Sequence, residues 1–128
     1  MSVVQHDTDF MRRAFAHEAV LMMDLDADSH APGAAITAAL CGHWDHQPPC
    51  PLAPHHTYAH RTGSEVWLRI LFATDPDLEM TVRQRIESAL SHGKLRHSNG
   101  TTQWRLENST HSEVHADEVD HAQRLIDT

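Results

Sequence analysis

The clearest periodic signal in the chain is Glu65 to Thr74, EVWLRILFAT. Val66, Leu68, Ile70 and Phe72 alternate with Trp67, Arg69 and Leu71, the period of two that marks a strand. Both sides of the run are apolar, which predicts a central position in a sheet. AVLMMDLD at 19–26 is a second apolar run of strand length. HHTYAHRT at 55–62 and TTQWRLEN at 101–108 read as polar strands, and Thr62-Gly63-Ser64 makes a tight reversal between the first of these and EVWLRILFAT.

Other segments follow helical spacing. DTDFMRRAFAHE (7–18) places Phe10, Ala14 and Phe15 on one face, with Asp7 or Thr8 as cap. Pro32 opens APGAAITAALC (31–41), which gathers Ile36, Ala39 and Leu40 and stops before Gly42. Asp75-Pro76 begins a third helix, with Leu78, Val82, Ile86, Ala89 and Leu90 as its stripe and Gly93 as its stop. KLRHSNG (94–100) is expected to be a loop. SEVHADEVDHAQRLID (112–127) is expected to be a polar terminal helix anchored by Val114, Val119, Leu125 and Ile126.

This order predicts one α+β domain over residues 1–128. An N-terminal helix (1–16) precedes a ferredoxin-like βαββαβ plait with a four-stranded antiparallel sheet (17–108), and a C-terminal helix (112–127) follows. In such a plait the first and third strands are central, and here those are the apolar runs. Alternation of direction then collects at one pole His17, the segment Cys41 to Cys50, His55, His56 and His111. One sheet face carries Trp67, Arg69 and Leu71; a terminal helix or a second copy of the chain could cover it.

Charge narrows the partners. The chain has 128 residues and a net charge of -8, which argues against nucleic acid and against an anionic membrane surface. No run reaches bilayer length and the first residues lack a secretory apolar core, so a cytoplasmic protein is expected. In that compartment the two cysteines are expected to be thiols or metal ligands.

Thirteen histidines, several times ordinary usage, are spread over separate elements. Both cysteines, four histidines and four prolines fall in Cys41 to His56, CGHWDHQPPCPLAPHH. Cys41, His43, His46 and Cys50 offer two sulfurs and two imidazoles, the donor set of tetrahedral zinc; copper and nickel also suit such donors. His55 and His56 are available as substitute ligands, His17 and His111 as additional ones, and Asp45 as a partner that fixes an imidazole. The prolines stiffen this loop before any ligand arrives.

Three alternatives compete with a metal site. Cys41 could be a buried thiol at a helix end, with the histidines facing solvent. Cys41 and Cys50 could form a disulfide. Cys50-Pro51 resembles the short haem-regulatory Cys-Pro motif, which implies haem with Cys50 as a ligand. DLDADSH lacks the glycine and glutamate of a calcium loop. No hydrolase, metalloprotease or nucleotide-binding signature occurs, so no catalytic residue is assigned and a binding role is expected over an enzymatic one. A further reading is a protein-interaction domain in which zinc serves only to hold the proline-rich loop, and a protein partner or a homodimer stays open at this point.

Overall fold

Phe15, His17, Ala19, Leu21 and Met23 share one side of the first strand, β1 (Arg13–Met22), and its extension. The computed structural model describes residues 12–41, 53–98 and 100–128. After β1 come α1 (Ala31–Cys41), β2 (His55–Thr62), β3 (Glu65–Thr74), a 3-10 turn (Pro76–Leu78) and α2 (Glu79–His92). The hairpin β4 (Lys94–His97) and β5 (Gly100–Gln103) follows, then β6 (Arg105–Ser112), a second 3-10 turn (Ala116–Glu118) and α3 (Val119–Ile126).

The architecture is mixed α+β. Four strands form an antiparallel sheet in the order β2-β3-β1-β6, and β4 and β5 form a separate two-stranded sheet. β1 and β3 pair along their full length, from Arg13 opposite Thr74 to Met22 opposite Glu65. β2 returns into β3 through Gly63 and Ser64, where Gly63 supplies the positive φ of 62° that such a two-residue turn needs.

α1 and α2 lie on the sheet's inner face. They bury Ala35, Ile36, Leu40, Val82, Ile86 and Leu90 against Leu21, Leu68, Ile70 and Phe72. α2 ends at Gly93, whose φ is 77° and where a Cβ would sit 2.7 Å from the Trp104 carbonyl oxygen. Only glycine meets both conditions. Trp104 is tied to this end twice, its backbone N–H donating to the Gly93 carbonyl and its Nε1–H to the Leu90 carbonyl, each at 2.9 Å. α3 packs on the outer face over β1 and β3. Ala16, Leu71 and Ala73 are fully buried there, while Trp67, further along, is 47% exposed.

Three expectations need correction. The helix expected over 7–18 meets a strand from Arg13 onward, and residues 1–11 lie outside the described residues. Alanine and arginine favour helix, but pairing with both β3 and β6 overrides that preference. The expected loop at 94–100 is half of the β4–β5 hairpin, so the last strand of the large sheet starts at Arg105. The C-terminal helix is shorter than expected, since Ser112 still belongs to β6, and Val119 is 54% exposed instead of anchoring it. Among the described residues no helix is long and apolar enough to cross a membrane.

Candidate functional site

The ligand-rich segment is fixed to the frame at both ends. Cys41 is the last residue of α1 and is disulfide-bonded, so its sulfur is a metal donor only after reduction. His43, Asp45, His46 and Cys50 lie outside the described residues. His55 and His56 open β2 and point to opposite sides of the sheet, as neighbours on a strand must.

His55 faces α1. Its Nδ1–H donates to the Ala53 carbonyl at 3.1 Å, since a carbonyl can only accept. Nε2 therefore carries the lone pair and accepts from the Thr37 hydroxyl at 2.9 Å. Burial lowers the His55 pKa, partly opposed by the bond to Ala53, so the ring is held neutral. A ring whose N–H is fixed by a carbonyl, with the other nitrogen free to coordinate, is the orientation metal-binding histidines use. Among the described residues the competitor at Nε2 is a hydroxyl that can rotate away.

That nitrogen borders a groove of about 240 Å³ between α1 and β2, lined also by His30, His56, Ser29, Gly33 and Thr57. His30 is exposed, and its backbone N–H and Nδ1 both approach Asp28 Oδ1, at 2.9 and 3.3 Å. The backbone bond is the main reason the Asp28 pKa is lowered. The Thr57 hydroxyl is shielded from solvent without a hydrogen-bond partner among the described residues.

On the outer face His56 meets α3. Its ring lies 4.4 Å from Tyr58 and 4.8 Å from His121, centroid to centroid, and the Tyr58 hydroxyl is 2.6 Å from His121 Nδ1. Burial, then the neighbouring His121 and His55, lower the His56 pKa.

His17 and His111 face each other across β1 and β6 with ring centroids 5.8 Å apart. They reach the same end of the sheet as His55 but not the same place. β2 is two strands from His17 and three from His111, roughly 10 and 14 Å at ordinary strand spacing. Both nitrogens of His17 are also engaged. Arg83 Nη1 donates to Nδ1 at 3.0 Å, so Nε2 carries the proton and donates to Ser109 Oγ at 2.7 Å.

Burial, then the Arg83 charge and His111, push the His17 pKa from 6.5 down to about 4. Between those values the unfolded chain binds more protons at this site. Stability is therefore full above pH 6.5 and falls as pH drops toward 4, by on the order of 3 kcal/mol. His17→Gln should flatten that slope in urea titrations run from pH 4 to 7.5; an unchanged slope would place its origin elsewhere.

His115, Asp117 and Glu118 also offer ligand atoms within 4.8 Å of one another. Glu118 is already committed, with its two oxygens 2.6 and 2.7 Å from Arg69. Hydrogen bonding to Arg69 is the largest cause holding its pKa down to about 2. Arg69 itself, on the sheet face left for a terminal helix or a second copy to cover, has a side chain only 16% exposed. Sequence reasoning missed His121, Tyr58 and the buried Arg83. A signal existed for Arg83, which follows Glu79 by four residues and sits between Val82 and Ile86 on the apolar stripe. No family model and no curated protein matches the chain.

Proposed function

We propose that the protein binds a transition-metal ion in the groove between α1 and β2 and serves in handling or sensing that metal. Zinc is the leading candidate, with copper and nickel as alternatives. The observation that carries this is the orientation of His55, with Nδ1 held by the Ala53 carbonyl and the Nε2 lone pair at a groove shared with His30. In the proposed site His55 is joined by His43, His46 and Cys50, with Asp45 orienting one ring; the His56 ring lies on the opposite face of the sheet and is not among these ligands. Cys41 adds a thiolate when reduced. We also propose a cytoplasmic setting, whose reducing conditions keep it so.

The fold we assign is the ferredoxin-like plait. The succession β1, α1, β2, β3, α2, β6 and the sheet order β2-β3-β1-β6 support it, with the β4–β5 hairpin inserted before the last strand and α3 appended.

Metal analysis of tag-free protein, with and without reductant, tests the function. Stoichiometric zinc is expected under reduction, with weaker binding after oxidation. His55→Ala should lower affinity by roughly 100-fold or more, since groups that merely orient a ligand are worth roughly 10–100-fold. Equal affinity in His55→Ala removes the groove from the site. A Soret band on haem addition with no metal uptake replaces the metal by haem.

A further inference from the structure

We propose that a divalent transition-metal ion also binds between His56 and His121 on the outer face of the sheet, clamping α3 to β2. The clamp rests on the metal reading above for the class of ligand. Its site is separate, because it depends on His121 and Tyr58, on the side of the sheet away from the groove.

The distance between the rings fits a shared ion. With metal–nitrogen bonds of about 2.0–2.1 Å, each imidazole centroid lies about 3.2 Å from the metal. Ligand angles between about 90° and 110° then put the two centroids about 4.5–5.2 Å apart. The observed separation is 4.8 Å, with the rings tilted by 59°.

The lone pair on the α3 side is already directed at a second donor. His121 Nδ1 accepts from the Tyr58 hydroxyl at 2.6 Å, and the Tyr58 ring in turn lies against His56. A metal ion takes the place of the phenolic proton, which passes to solvent, and the Tyr58 oxygen becomes the third donor. Two imidazoles and one oxygen suit zinc, and equally copper(II). Asp117 and Asp120 lie just before His121 in the chain and favour a cation there.

The element being clamped is weakly held. α3 has eight residues, of which Ala122 alone is buried, and a helix of that length is not stable by itself. An ion that joins it to β2 binds only the docked form and so stabilises that form in proportion to its occupancy.

The test is a zinc titration of the full chain, read by hydrogen exchange across residues 119–126. At free zinc about tenfold above its dissociation constant, opening of α3 should fall about tenfold. His121→Gln should lose the zinc-dependent part of that protection, so that its exchange is the same with and without zinc. His55→Ala should retain it, and Tyr58→Phe, which keeps the ring packing, should weaken it. If the parent takes up zinc with exchange at 119–126 unchanged, or if His121→Gln keeps the protection, the clamp is overturned and the groove site stands. If zinc does not bind at all, both fail.

Discussion

Arg83→Ala is expected to destabilise the protein by about 3 kcal/mol, with the loss spread over the whole fold. The side chain is 5% exposed and stands between α2 and β1. Its Nη1 donates to the Ala16 carbonyl at 2.7 Å and to His17 at 3.0 Å, and its Nε to Glu79 at 2.8 Å. The guanidinium also lies 5.3 Å from the Phe72 ring centre and 5.9 Å from that of Phe15. Truncation leaves a buried carbonyl and a buried ring nitrogen without partners, and a hole beneath two aromatic rings. Glu79 is 28% exposed and can recover water, which keeps the loss below that of a fully buried ion pair.

Arg83→Met separates packing from charge. It fills most of the volume, so its cost should be smaller. It also removes the second-largest cause of the low His17 pKa and leaves the largest, burial. The His17 pKa should therefore rise but remain below 6.5, as an NMR titration would show. Urea unfolding at pH 7 gives the stabilities. A loss in Arg83→Ala below about 1 kcal/mol would mean that the network is solvated in solution.

Arg69→Ala is expected to act locally first, by loosening α3. Arg69 joins Glu18 of β1, the Ser112 hydroxyl, the Glu113 carbonyl and both oxygens of Glu118. Glu118 in turn accepts the His115 backbone N–H at 2.8 Å in a capping box before α3. Removing Arg69 leaves the carboxylates of Glu18 and Glu118 on the same face with no cation between them. A cost of about 2 kcal/mol follows once solvent screening is allowed for.

The pH dependence has a definite sign. The Glu118 pKa is depressed from 4.5 to about 2, so its contribution is fully present above pH 4.5 and lost as pH falls through 2. Arg69→Ala should reduce that dependence, leaving the part that comes from His115, and expose residues 119–126 to rapid hydrogen exchange while the amides of β1 and β3 stay protected. If all of these amides lose protection together, α3 is part of the cooperative core and not an appended element.

The parts of this fold legible in the sequence are those in which one local pattern agrees with its tertiary surroundings. β3 alternates and is central; α2 carries one stripe and ends at a glycine whose φ is positive. The start of β1 is different. Phe15 fits both a helical face with Phe10 and a strand face with His17 and Ala19, and only pairing with β3 and β6 decides between them. The β4–β5 hairpin carried its own signal in Asn99-Gly100, a strong turn dipeptide, but its polar flanks hid it.

At the site, His55 and His56 were legible as donors beside a cysteine-rich loop. Their division between two sheet faces follows from a strand's period of two and needed only the strand assignment. His121 could not be foreseen. It reaches His56 because α3 folds back across the outer face, a long-range event with no local signature.

The central place of β1 also has a consequence for the order of synthesis. One edge of β1 is satisfied by β3, but the other pairs Ala16 with Ser112, near the end of the chain. Until β6 leaves the ribosome, β1 is an open edge with a row of unpaired amides and carbonyls, the arrangement that invites pairing with another nascent chain. A product terminated before Arg105 lacks β6 and keeps that edge for good. β6 therefore seals the sheet as well as completing it, and β1 stays open from the formation of β3 until β6 arrives.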